Sequence, residues 1–559
     1  MHHPRRMSIA LLTLLPLFAS GCSGGDAGDN ILLFHFPPPP NPLTASDVDT
    51  IVMRTAQAID APNLIIAVTD RMGRILAVWR RDPAASVTDQ NIAVSLARTT
   101  SFVSSSQGPL TSRTLEYIST FHFPPVFGAP TPITNPDPLV DVSMLAPQRQ
   151  TLGIQNTPQG ALWQIFTTNR GARLAGLGLT LGSAGLETLF NPPFDPDNGV
   201  PPATNIDDTA PGPGLTYLPG AIPLYKDSTR LVGGVGVYGT TLQAAEFAAI
   251  AGAAGSGTLA DPNFAFPGVP PAGLIFLVGV LLPAFEQTTI PAGMGPGTFN
   301  PASYVVGPTD AGPTATFALS PTQRDPYGDL IGPRADPLGA LTLADVTQLR
   351  DQAIATANGT RAAIRLPLGS ATKMVIAITN RNGLILSLHR MDDAPVFSID
   401  VSVAKARNVV YFSSPELDPG DQVPGLPLGV AITNRTLGFL TQPFFPPGID
   451  GTAPGPLFAS VALFNQNPLQ FNRQGREPFK PGLQNGVVLF PGASALYSPA
   501  GVLIGGLGIS GDGVEQDDFV TNGAVAGFDA PLAIRADQFS FDGVPLPYFK
   551  FPQHPGPGN

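Results

Sequence analysis

The sequence predicts an α/β (α+β) fold that occurs twice along the chain, each copy an antiparallel sheet of about five strands carrying helices and a long insertion. Three observations lead there. Residues 43–290 are similar to residues 341–553 segment by segment, both stretches hold apolar-alternating strand pairs joined at glycine, and both open on a helix-start signal. Residues 291–340, rich in Pro, Gly and Thr, read as the linker between the copies.

LTASDV (43–48) matches LTLADV (341–346), and in each a Thr precedes an Asp by three residues. That spacing lets hydroxyl and carboxylate cap the first turn reciprocally, which predicts an amphipathic helix. IIAVTDRMGRILAVWRRD (65–82) matches VIAITNRNGLILSLHRMD (375–392), two hairpins turning at Gly73 and Gly383, where positive φ is tolerated. ARTTSFVSSS (97–106) and ARNVVYFSSP (406–415) end a second helix, and TSRTLEYISTFHFPP (111–125) matches TNRTLGFLTQPFFPP (433–447). GAIPLYKDSTRLVGGVGVYG (220–239) and GASALYSPAGVLIGGLGISG (492–511) read as a second hairpin with a glycine-rich return strand, the mark of a close backbone, a bulge or a ligand. IFLVGVLLPAFE (275–286) pairs with FSFDGVPLPYFK (539–550); Asp542 and two prolines in the second make both closing strands rather than membrane spans. Residues 126–219 and 448–491 are long insertions, in which GALWQIFTTN favours order.

Hydrophobic residues at 43% supply real cores, whereas charged residues at 13% are about half the usual share, so uncharged groups cover the surface. MHHPRRMSIALLTLLPLFASGC joins Arg5 and Arg6 to a short apolar run and small residues, a secretory signal. Its end, with the chain's only cysteine, resembles a bacterial lipoprotein signal lipidated at Cys22, although Ala19 stands where leucine is usual. Residues 1–22 are thus expected to be signal and anchor, and 23–42, ending in polyproline, a tether. Ser23 after the cysteine favours, by analogy, the outer membrane. Loss of Arg5 and Arg6 takes the formal charge from −11 to −13, which excludes nucleic acid as a partner.

The string LILSLHRMDDAPVFSIDVSVAKAR (384–407), followed by LYSPAGVLIGGLGISGDGVEQDDFVTNGAVAGF (496–528), resembles the GlcG/HbpS-like family of haem-binding, proposed haem-degrading proteins. The matching residues are Arg390, Asp392, Ala394, Ser398, Lys405 with Ala406, and Gly505, Gly506, Gly508, Ser510 and Gly511. The first copy keeps Arg80, Asp82, Ala84 and Ser86 but has Leu96 for Lys405 and Tyr238 for Ser510, and reads as a degenerate partner. The resemblance implies a profilin-like fold, haem or another tetrapyrrole as ligand, and oligomers, one dimer of which two copies in a chain would reproduce covalently.

Candidate site residues follow. Arg390 and Lys405 suit carboxylates such as haem propionates, or else form an internal salt bridge with Asp392. Ser398 belongs to the same motif. His389, with Met391 on the same strand face, is a haem-ligand candidate, yet Trp79 replaces it in the first copy. His122, in an aromatic run, reads as a packing residue. Asp512, Asp517 and Asp518 suggest a metal, against which Asp512 and Glu515 spell a helix cap. No nucleophile elbow, phosphate loop or metal cluster appears, so no conventional catalytic constellation is expected. Three readings remain: haem or small-ligand binding by the second copy, a structural or interaction module with a vestigial site, and haem degradation.

Overall fold

The computed structural model describes residues 42–119 except 74, then 122–123, 156–163, 218–254 except 227–229, 274–308 except 278–279, and 325–558 except 326, 418 and 459–486. The expected signal, Cys22 and tether, and most of both insertions, lie outside the described residues.

Two five-stranded antiparallel sheets organise the rest, as the sequence predicted. The first half holds α1 (Ala45–Ala58), β1 (Ile65–Asp70), β2 (Ile75–Arg80), α2 (Val87–Val103), α3 (Ser112–Ile118), β3 (Ala221–Lys226), β4 (Arg230–Tyr238), α4 (Leu242–Ala254), the small hairpin β5 (Leu274–Leu277) and β6 (Val280–Pro283), and β7 (Tyr304–Val306). The second half holds β8 (Gly328–Ile331), α5 (Leu343–Asn358), β9 (Val375–Asn380), β10 (Ile385–Arg390), α6 (Ser398–Phe412), α7 (Asn434–Leu440), β11 (Ala493–Tyr497), β12 (Leu503–Ser510), α8 (Val514–Ala524) and the hairpin β13 (Ser540–Phe541) and β14 (Val544–Pro545). Sheet orders are β3-β4-β1-β2-β7 and β11-β12-β9-β10-β8. The stretch read as linker therefore supplies an edge strand to each sheet, β7 from its beginning and β8 from its end.

The same local chemistry recurs in both halves. Thr44 and Asp47 form the reciprocal cap of α1, and Thr342 and Asp345 that of α5. Gly73 and Gly383 turn their hairpins at φ +77° and +79°, and Arg98 Nε and Arg407 Nε each donate to the turn carbonyl at 2.9 Å. Arg113 grips Glu246 at 2.6 Å where Arg435 grips Asp518. Thr114 Oγ1 donates to the Pro283 carbonyl where Thr436 Oγ1 donates to that of Pro547, tying each closing hairpin to a short helix.

The glycine-rich return strands have a packing cause. A side chain at Gly234 or Gly236 would collide with the Ala97 and Ala93 carbonyls of α2, and one at Gly506 or Gly508 with the Ala406 and Ser402 carbonyls of α6. A close helix backbone thus accounts for Gly234, Gly236, Gly506 and Gly508, while the register of the return strand shifts beside Gly233 and Gly505. An apolar cluster joins the halves, bringing Phe102, Leu115 and Tyr117 against Val396, Phe397 and Val403. Among the described residues no helix is long and apolar enough to cross a membrane.

Candidate ligand site

His389 lies on β10 directly across from Asp329 on β8, the edge strand that the linker contributes. Its Nδ1 lies 2.7 Å from Asp329 Oδ1. A carboxylate only accepts, so Nδ1 carries a proton, and Nε2 has no hydrogen-bond partner among the described residues. The imidazole is 17% exposed. Arg350 of α5 holds the other Asp329 oxygen at 2.7 Å. Burial pushes Asp329 up, but the His389 hydrogen bond and the His389 and Arg350 charges outweigh it and hold the carboxyl below its ordinary value. In the first half the same position is filled: Trp79 donates to the Asn300 carbonyl at 2.8 Å, stacks on Phe299 and pairs across the strands with Tyr304.

Arg390, next on the strand, is fully buried at the junction of the halves. Its Nε and Nη2 donate to the Ala394 carbonyl at 3.0 and 2.6 Å, and Nη1 donates to Asp325 at 2.7 Å. Arg71 of the first half reaches the same Ala394 carbonyl at 3.3 Å and lies 3.9 Å from Asp325. Burial pulls the Arg71 guanidinium down to about 10, opposed by Asp325 and assisted by Arg390. Beside it, Arg365 donates to Asp512 and, at 2.7 Å, to Asp393, which also accepts from Ser106 of the first half. Burial would raise Asp393, yet Arg365 and Arg71 hold it below its ordinary range.

Lys405 is equally sealed. Its Nζ donates to the Ile509 carbonyl at 2.7 Å and to Asp517 at 2.9 Å. Ser398 opens α6, buried, and accepts from Ser510 Oγ at 3.0 Å. Asp392 is exposed. The internal salt bridges of Arg390 and Lys405 thus form, but with Asp325 and Asp517 rather than Asp392, because Asp392 stands in an exposed turn while both cations point inward. A ligand carboxylate meeting either cation must displace its partner.

The acidic trio is likewise taken, Asp512 by Arg365, Asp517 by Lys405, and Asp518 by Arg435 with the Gly492 and Lys550 amides. No cluster able to hold a metal ion occurs among the described residues. The predicted cap is absent: Gly513 occupies the N-cap of α8 with no side-chain bond, since buried Asp512 accepts from Arg365 and the Lys373 amide, and Glu515 pairs with Lys550. His122 is buried, its Nδ1 3.0 Å from the Thr157 carbonyl.

Sequence reasoning missed Asp325, Asp329, Arg71 and Arg365. One signal existed for Arg365: helix and strand are separated by 59–64 in the first half but by 359–374 in the second, and Arg365 lies in the longer stretch.

The search of curated proteins returned no match. Solved structures similar to part of the chain include the following two. A crystal structure titled as a PduOC:heme complex is 26% identical, covering 34% of this chain and 96% of that one, with a TM-score of 0.22. Klebsiella pneumoniae protein ORFY is 21% identical, covering 34% and 92%, also with a TM-score of 0.22. Residues 341–526, the second half from α5 through α8, match the family model described as haem degrading protein HbpS-like.

Proposed function

We propose that the chain binds haem or a related tetrapyrrole through its second half, beside His389. The observation that carries this reading is the match of residues 341–526 to a haem-degrading family. The donor chemistry fits: an imidazole whose Nδ1–H is held by a carboxylate presents a fixed, basic Nε2, the arrangement that metal-ligating histidines use. Bound haem would supply the redox and ligand chemistry of its iron. The chain's own residues orient the ring from Asp329 and anchor Asp329 by Arg350. Met391 is no second ligand in this arrangement, since its sulfur accepts from the Met374 amide at 3.4 Å.

In this reading the two halves are tandem HbpS-like copies, the first divergent, with Trp79, Phe299 and Tyr304 filling the position that corresponds to His389. Cys22 is proposed as the lipid anchor that holds the protein in the bacterial envelope, with further self-association available to the fused pair. The rival reading, an interaction module with a vestigial site, is favoured by the internal pairing of Arg390 and Lys405. Titration of the purified chain with micromolar haem separates them. A saturable Soret shift supports binding, and its absence leaves the interaction module; loss of haem absorbance on adding a reductant with oxygen would extend the role to degradation.

A further inference from the structure

Three guanidinium groups converge on one carboxylate where the halves meet. Asp325 lies 2.7 Å from Arg390 Nη1, 3.9 Å from Arg71 Nε and 3.9 Å from Arg230 Nη2. Its side chain is 5% exposed. Arg71 Nε, which faces the carboxylate, and Arg230 Nε on the same cluster are sealed from water with no hydrogen-bond partner among the described residues. Buried N–H groups are normally paired, so this cluster has more donors than Asp325 satisfies. Asp325 belongs to neither sheet; it lies between β7 and β8, on the segment that connects the halves. Arg230, with 29% of its side chain exposed, gives the cluster a solvent-facing side.

We propose that Arg71, Arg230 and Arg390 form an anion site shared by the two halves, shaped for a small carboxylate, and that Asp325 is its tethered occupant, displaced when such a carboxylate binds. With the other Arg71 and Arg390 nitrogens held by the Ser101 and Ala394 carbonyls, Arg390 Nη1, Arg71 Nε and Arg230 Nη2 remain to meet such a ligand from both halves, more donors than the single bond Asp325 accepts from Arg390. Occupation of this site couples the halves, because Arg71 and Arg230 come from one and Arg390 from the other. The inference is independent of haem binding, which concerns His389 and a different probe.

A tethered carboxylate competes at an effective concentration on the order of millimolar or higher, so an external one binds the native chain weakly. The test is to titrate the full-length chain, Asp325→Asn and Asp325→Ala with sodium formate against sodium chloride at matched ionic strength, following the thermal midpoint and the heat of binding. Asp325→Asn is expected to bind formate saturably and at least about tenfold more tightly than the native chain, and adding Arg230→Gln should cost at least about fivefold of that affinity. Formate acting no differently from chloride on Asp325→Asn, or binding equally well without Arg230, overturns the proposal. If Asp325→Ala does not fold in chloride, recovery of the fold in formate supports it and failure to recover counts against it.

Discussion

Lys405 Nζ lies 2.9 Å from Asp517 Oδ2 with both side chains closed to solvent, and the first half has Leu96 and Ala245 at the two corresponding positions. One location in the fold thus carries a buried ion pair in one half and two apolar side chains in the other. The exchange is a coupled one, since a buried charge without its partner is far costlier than either complete solution.

Lys405→Leu alone should therefore destabilise the chain by about 3–5 kcal/mol, while Lys405→Leu with Asp517→Ala should fall within about 1–2 kcal/mol of the native protein. Urea denaturation of the two variants decides it. A double variant as unstable as the single one would mean the pair is not a replaceable unit.

The same pair sets a pH dependence. Burial pushes the Asp517 carboxyl from 3.8 up to about 7, with the Lys405 charge pulling the other way. A folded pKa above the unfolded one means the native state binds the proton more tightly, so this contribution is complete below about pH 4 and lost as pH rises towards 7. The stability of the native chain, measured relative to the Lys405→Leu, Asp517→Ala variant, should decline between pH 4 and 7. A flat difference would contradict the assignment.

Gly508→Ala should destabilise by about 2 kcal/mol or more, because a methyl there meets the Ser402 carbonyl and the Ala406 amide of α6. Gly420→Ala, with open space around it, should change stability by less than about 0.5 kcal/mol. Thermal midpoints of the two variants that moved together would argue against close helix approach as the reason for the strand glycine.

The halves should unfold together. Their shared apolar cluster and the Arg71, Arg365 and Asp393 contacts cross the junction, so calorimetry should show one transition whose van't Hoff and calorimetric enthalpies agree. Two resolved transitions would show that the junction is weak.

Much of the fold was legible because it is local or repeated. Thr44 and Asp47, Gly73, and the strand glycines each act on neighbours in sequence or recur at matching positions in the second half. The site was less so. Asp329 and Asp325 are defined by His389 and Arg390, 60 and 65 positions away, and the linker in which they occur has no repeated counterpart to expose them. Arg390 and Lys405 were recognisable as special residues, but nothing in their local sequence reveals that each faces a carboxylate contributed by a distant segment. The cap expected at Asp512 failed for the same reason: Arg365, far along the chain, takes the carboxylate first.

The most direct measurement is a haem titration of the native chain and His389→Trp side by side, followed through the Soret band. Haem binding at His389 predicts one saturable site in the native chain, and in the variant, which carries the first-half residue, loss of the imidazole-ligated spectrum with at least about tenfold weaker binding. Identical spectra and affinities in the two proteins would contradict it.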